Sequence, residues 1–362
     1  MGKELLVATK RWDALIGHPV RPEVVAVADT APAVRDWFSK AGVLNIYNSY
    51  QELLADPQVD VVYIAVPHNL HEEIYLATIQ AGKDFLGEKP FGIDLSAAKK
   101  IVGAIKASNL FVRVSSEMPF FPGAQAAFNY VKSGALGEIV EVRCSFLHSS
   151  DLDVNKPINW KRQKQFCGAL GVMGDLGVHL AHIPARLGYQ FETVYSMLDD
   201  IVKTRKNMQG EDLPCDTFDN AILAIKAKAG GTRIFPMIWE MKRIALGESN
   251  TWMFSASGMN GGVRFSTRNA QIVERFAYDD GEQKWIQTQP GHRTNWPVIT
   301  GGIFEFGFPD SLLQMWAAYF AEREGLLGER FGCATVDEAL ESHRVFDAAL
   351  KSHNNHSEVR CD

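Results

Sequence analysis

The chain has 362 residues, too long for one ordinary core, so two domains, or one with a large insertion, are expected. Its formal net charge of −6 offers no basic excess to a phosphate backbone, which excludes nucleic acid as an expected partner. Five scattered cysteines suggest neither a disulfide framework nor a zinc knuckle, and point to a reducing, cytoplasmic location.

Residues 1–20 read as one helix with Leu5, Leu6, Ala8, Trp12 and Ile16 available for its apolar face, closing near Gly17 and Pro19. A strand is expected at 23–29, ending on Asp29, where a dinucleotide fold needs an acceptor for the adenosine ribose hydroxyls. A helix at 33–40, a short strand at 44–47 and a helix at 50–55 lead to the stretch around which the rest is arranged. Residues 59–67 form an apolar run of strand length ending at Pro67; after His68, Asn69 and His71 a helical pattern over 70–80 stops at Gly82. The next strand closes on Glu88, Lys89 and Pro90, placing a carboxylate and a cation at the carboxyl rim where open parallel sheets hold ligands. Asp94 caps a helix with Leu95, Ala98, Val102 and Ile105 on one side, and 110–115 is a further strand.

Such alternation predicts a Rossmann-type α/β domain over residues 1–120, a doubly wound parallel sheet with helices on both faces. From Pro122 the texture changes to one helix ending at Lys132, then strands such as 138–147, 220–228, 232–240 and 251–257, which alternate apolar and polar residues. Residues 121–334 are therefore expected to form an α+β domain with a large, mostly antiparallel sheet. Thr335 and Glu338 have capping-box spacing and open a helix through Ala348; composition assigns 335–362 to neither domain. No uninterrupted apolar run reaches the roughly 20 residues that cross a bilayer, and no signal-peptide core is present, so neither a membrane nor export is expected.

A Rossmann domain normally opens with a strand and a Gly-x-Gly-x-x-Gly turn, whereas this chain starts at the helix. The pattern predicts that Met1 is an internal methionine of a longer chain, with Gly2 as the third glycine that packs helix on strand. The alternative, a domain that begins here, leaves a gap in the middle of its sheet. Either way, most of the pyrophosphate cradle is absent from these residues.

Several side chains carry candidate chemistry beside an ordinary reading. Asp29 is a ribose-binding acid or a turn residue, and Thr30 and Ala31 offer no cation for a 2′-phosphate, which favours NAD over NADP. His68, Asn69 and His71 taken singly read as helix-start residues, with Asn69 a cap and the histidines solvated. Lys89 pairs with Glu88 at the surface, or, held between a buried strand and a proline, aims its amine at a ligand; the second reading is preferred. If a helix starts near Gly174, Asp175 and His179 share one face, so that the imidazole can take a hydroxyl proton while the carboxylate orients it. The ordinary alternative has Asp175 as a cap and His179 in a core. Trp160, Lys161 and Arg162 lie just ahead of this helix. His179 and His182 with Asp175 make too weak a ligand set to favour a metal. Trp239, Trp252, Trp285 and Trp316 are available to stack on a sugar ring, although large aromatics more often fill cores.

These residues together resemble the glucose-fructose oxidoreductase, inositol dehydrogenase and MocA (Gfo/Idh/MocA) family of NAD(P)-dependent oxidoreductases. The resemblance is carried by 24–29, by Ala65, Val66 and Pro67 with Asn69 and His71, by Glu88, Lys89 and Pro90, by 137–139, by Asp175 and His179, and by Ser342, His343 and Arg344. It implies that Lys89 binds the substrate hydroxyl and nicotinamide region, that Asp175 assists, and that His179 is the acid/base. It also implies cofactor contacts from Gly2, Asp29, Pro67, Asn69, His71 and Glu88, and cofactor or substrate contacts from Trp160 and Arg162, in a homo-oligomer. Residues 117–122, beginning Glu117 and Met118, depart from the family's usual pattern after the last Rossmann strand. The expected activity is reversible NAD-dependent oxidation of a secondary hydroxyl on a sugar, polyol or glycoside. Its rivals are glycoside cleavage through transient oxidation and a non-catalytic sugar or NAD sensor.

Overall fold

A computed structural model describes residues 1–231, 233–279, 281–291 and 293–362. Helix α1 (Gly2–Lys10) ends early, and a 3-10 turn (Trp12–Ala14) follows. The single longer helix expected here is broken because Trp12 is drawn inside, with its Nε1 donating to the Val20 carbonyl, while Leu15 bridges to Val298; Ile16 is left exposed. Then come β1 (Ala26–Ala28), α2 (Pro32–Lys40), β2 (Asn45–Tyr47), α3 (Tyr50–Ala55), β3 (Val61–Ile64), α4 (His71–Gln80), β4 (Asp84–Gly87), α5 (Leu95–Lys106) and β5 (Val112–Val114). Asp94 caps α5 as expected, accepting from the Ala97 amide.

All pairings in this layer are parallel, but the sheet is in two parts. β1 pairs with β2, while β3, β4 and β5 form a separate ladder. Side chains hold the parts together: Val25 and Ala26 pack against a core that includes Val62, Ile64, Phe85 and Val112. Gly2 contacts a helix rather than a strand. A Cβ there would stand 3.6 Å from Phe38 of α2, an ordinary contact, so the close strand packing expected of it is not observed.

The second layer contains α6 (Pro122–Lys132), β6 (Ile139–His148), α7 (Lys164–Cys167), α8 (Val172–Arg186), β7 (Tyr189–Asp199), a small ladder of β8 (Thr204–Lys206) with β9 (Asp212–Pro214), β10 (Asn220–Ala229), β11 (Ile234–Lys242), β12 (Asn250–Gly258), β13 (Gly261–Ser266), β14 (Val273–Asp279) and β15 (Glu282–Thr288). The strand start expected at Thr232 lies outside the described residues. Helices α9 (Phe308–Arg323) and α10 (Val336–Asn355) and strand β16 (Val359–Arg360) complete the chain. The nine-stranded sheet runs β15-β14-β13-β12-β6-β11-β10-β7-β16 and is antiparallel except where β6 meets β11. Alternation sets its faces: Ala221, Leu223, Ile225 and Ala227 of β10 are buried.

Helix α8 is buried all round from Val172 to Pro184, as a helix between two layers must be. The stretch Lys164–Arg186, which holds α7 and α8, is long and apolar enough to cross a membrane by composition, and most of its apolar part is buried in the protein interior. α10 opens with the predicted Thr335–Glu338 capping box and packs on α8, β7 and α5, while α9 packs on α1. Ion pairs Arg113–Glu322 and Arg323–Asp84, with a bridge from Val114 to Ala334, tie the stretch around α9 to the parallel layer.

Candidate active site

Beyond β4 the chain turns through a cis Lys89–Pro90 peptide bond. Helix α8 meets it at Gly174, where an added Cβ would stand 3.4 Å from Pro90 Cγ and 3.2 Å from Leu170 Cβ; a bare backbone lets the proline approach. Gly171 leads into the helix at φ 54°, a left-handed conformation, with the Phe218 backbone nitrogen only 2.9 Å from where a Cβ would lie. The helix thus starts before Gly174, and Asp175 is inside its first turn rather than its cap.

Docking these elements brings Lys89 to Asp175. Lys89 Nζ donates to the Asp175 carbonyl oxygen at 2.6 Å and to Oδ1 at 3.0 Å. Lys161 Nζ donates to the same Oδ1 at 2.8 Å, and Arg243 Nε lies 3.4 Å from Oδ2. Burial opposes ionisation of Asp175, but Lys161, Lys89 and Arg243 outweigh it and hold the carboxyl well below the usual carboxylate range. Burial likewise opposes the Lys89 charge, and Asp175, Glu88 and Glu117 more than restore it, so Lys89 stays an ammonium.

His179 lies one turn further along. Its Nδ1 is 3.4 Å from Ser116 Oγ and 3.8 Å from Glu117 Oε2, and its ring stands edge-on to Phe146. Asp175 and His179 are not hydrogen-bonded to each other, as the four-residue spacing had suggested, because three cations occupy the carboxylate. Burial first, then the Lys89 charge, pushes His179 well below the ordinary histidine range, so the imidazole is neutral. Burial and the Glu88 charge raise Glu117 to about 7. A cavity of about 390 Å³ is lined by Lys89, Glu117, His148, Trp160, Lys161, Asp175, His179 and Arg243, with Asn250 and Phe308.

The other expected site residues divide. Pro67 and exposed Asn69 stand at the carboxyl end of β3, although the short turn holding Asn69 has no side-chain cap. Asp29 follows β1, where its Oδ1 accepts from the Ala31 amide. Trp160 lines the cavity, edge-on to His68. His68 and His71 are buried rather than solvated; His71 is fully so, its ring nitrogens facing the Pro90 and Val66 carbonyls at 2.8 and 3.0 Å, and it offers a cofactor no surface. Glu88 is buried and accepts from the Tyr63 hydroxyl, not from Lys89. Arg162 is a correction of the same kind: its guanidinium is fully buried between Asp151 and Asp219, behind the cavity wall that Asp151 forms and not itself part of the lining. His182 turns to Arg186 and Glu338. Trp239, Trp252 and Trp316 fill cores, and Trp285 stacks under Arg264. Sequence reasoning gave no role to Arg243, His148 or Ser116, and noted Glu117 only as a departure; no local pattern marks them, since each arrives from a separate element.

Residues 4–116 match the model of an oxidoreductase family with an NAD-binding Rossmann fold, and residues 124–244 match the Gfo/Idh/MocA C-terminal domain. The chain belongs to the Gfo/Idh/MocA family. Among family members it is 28% identical to levoglucosan dehydrogenase of Pseudarthrobacter phenanthrenivorans over 308 residues, 79% of this chain and 76% of that one. It is 30% identical to D-xylose 1-dehydrogenase (NADP(+)) of Hypocrea jecorina over 192 residues, 49% of this chain and 46% of that one. A solved levoglucosan dehydrogenase in complex with NADH and L-sorbose superposes with a TM-score of 0.89 at 24% identity, covering 100% of this chain and 96% of that one. An inositol dehydrogenase homologue from Azotobacter vinelandii, complexed with NAD+, gives 0.78 at 17% identity, over 97% and 93%. At these identities the superpositions establish the fold.

The residues present suit the NAD of this family at both ends. Asp29 Oδ1 accepts from the Ala31 amide at the end of β1, the position at which a dinucleotide fold carries its ribose-binding acid. At the cavity, an ammonium and a neutral imidazole stand beside His148 Nε2, a buried nitrogen without a hydrogen-bond partner among the described residues, so the polar groups there are set for a ligand.

Proposed function

We propose that this chain catalyses reversible NAD-dependent oxidation of a secondary hydroxyl on a sugar, polyol or glycoside, with His179 as acid/base and Lys89 holding the reacting oxygen. The observation that carries the reading is a neutral, buried His179 sharing one cavity with the Lys89 ammonium. When bound, the nicotinamide supplies the hydride acceptor. An ammonium has three N–H donors; Lys89 gives one to the Asp175 carbonyl and one to its carboxylate, so the third meets the substrate oxygen and stabilises charge building there. His179, being neutral, has a lone pair for the hydroxyl proton at ordinary pH. Asp175 orients Lys89 rather than the imidazole. The names of the levoglucosan and xylose dehydrogenases support a carbohydrate substrate, and the carboxylate of Asp29 favours NAD over NADP. The test is NADH formation by the purified chain across a panel of sugars, polyols and glycosides. Turnover lost in His179→Asn with folding intact is the expected result; turnover near wild type in that variant refutes the assignment, and aglycone release without net NADH replaces it with the cleavage reading.

A further inference from the structure

Glu117 stands past β5, is 6% exposed, and lines the cavity with His179. Its Oε2 and Ser116 Oγ cover the Nδ1 edge of the imidazole at 3.8 and 3.4 Å, which leaves Nε2 for the substrate side. An imidazole that takes a proton at Nε2 becomes a cation in a pocket where burial and Lys89 both disfavour one. That charge must be matched or passed on. Asp175 is already held by three cations, so Glu117 is the carboxyl placed to do it.

We propose that Glu117 is the proton partner of His179, accepting the Nδ1 hydrogen as Nε2 takes the substrate's hydroxyl proton. The inference rests on the acid–base reading of His179 given above. In oxidation the substrate O–H bond breaks and Nε2–H forms, while Nδ1–H breaks and Glu117 Oε2–H forms, as hydride leaves the carbinol carbon for the nicotinamide. The ring is neutral before and after, and resets when Glu117 releases its proton to solvent in the cavity; reduction runs the steps backwards. Glu117 acts through His179 and is a positioning residue. The charged and titratable groups facing Glu117 are Glu88 and Lys89 beyond β4, Tyr63 of β3 and His179 of α8; those facing His179 are Lys89, Asp175, His148 and His182. Glu117, at about 7, changes state near neutrality, whereas His148 at about 4 and His182 at about 3 do not.

The test is 15N NMR of the full chain labelled at histidine, without sugar or cofactor, the His179 signals being assigned with His179→Asn. Above the Glu117 midpoint the carboxylate closes the 3.8 Å gap to hydrogen-bond length and accepts from Nδ1–H; below it, the protonated carboxyl donates to Nδ1 and the ring carries its hydrogen on Nε2. The expected result is a tautomer exchange with a midpoint near 7 that disappears in Glu117→Gln and persists, shifted, in Glu117→Asp. In turnover, Glu117→Gln lowers kcat about a hundredfold with little change in KM, at the lower end of what proton transfer contributes. No tautomer change in the wild type, or the same change in Glu117→Gln, overturns the proposal; if the glutamine variant does not fold, the wild-type and Glu117→Asp titrations decide it in the same way. Because the spectrum needs no substrate, failure of the dehydrogenase reading is seen separately, as turnover that survives His179→Asn.

Discussion

Replacing Lys89 by methionine keeps the length of its stem and removes the ammonium. Asp175 would still receive Lys161 at 2.8 Å and Arg243 at 3.4 Å, so the buried carboxylate is not orphaned and the burial cost of the lysine charge is relieved. The loss of stability therefore stays well below the roughly 3–5 kcal/mol of breaking a lone buried pair. The rate is another matter, because the third N–H of Lys89 is the donor aimed at the developing alkoxide. Losing one such donor costs about 2.7–4 kcal/mol of barrier, or about 10²- to 10³-fold in kcat. The assay is NADH absorbance under saturating NAD with the most rapidly oxidised sugar of the panel, alongside a thermal melt of both proteins. A folded Lys89→Met protein whose kcat lies within about threefold of wild type would refute the reasoning.

Two further outcomes follow from buried charge. His68, His71, His148, His179, His182 and His343 are all lowered, burial being the largest cause in each. The unfolded chain thus binds their protons below about 6.5 while the folded chain does not, and each removes about 1.4 kcal/mol of stability per pH unit as pH falls from there towards its folded value. Glu117 runs the other way, adding stability as pH falls from about 7 to its ordinary 4.5, but it is one group against six. Urea midpoints should drop steeply between about pH 7 and pH 5, and equal midpoints would contradict the burial of these rings. Arg162→Met leaves Asp219 fully buried without its guanidinium, with the Val202 amide as a remaining donor, and should cost about 3–5 kcal/mol. KM for NAD of the folded fraction should not change; a raised KM with unchanged stability would return Arg162 to the cofactor site.

The amino-acid order alone determined what depends on neighbours in the chain. Strand–helix alternation through residue 115, the Asp94 and Thr335 caps, and a lysine fixed between strand end and proline are all written locally, because periodicity and capping act over a few residues. Tertiary structure decided which charges meet. Arg162 looked like a cofactor contact beside Trp160, yet Asp219, 57 residues away, draws it into the interior. Asp175 and His179 sit one helical turn apart and still do not pair, since Lys89, Lys161 and Arg243 reach the carboxylate first and Glu117 stands behind the ring. A buried charge is stable only beside its partner, and the partners in this site come from separate elements that folding alone brings together.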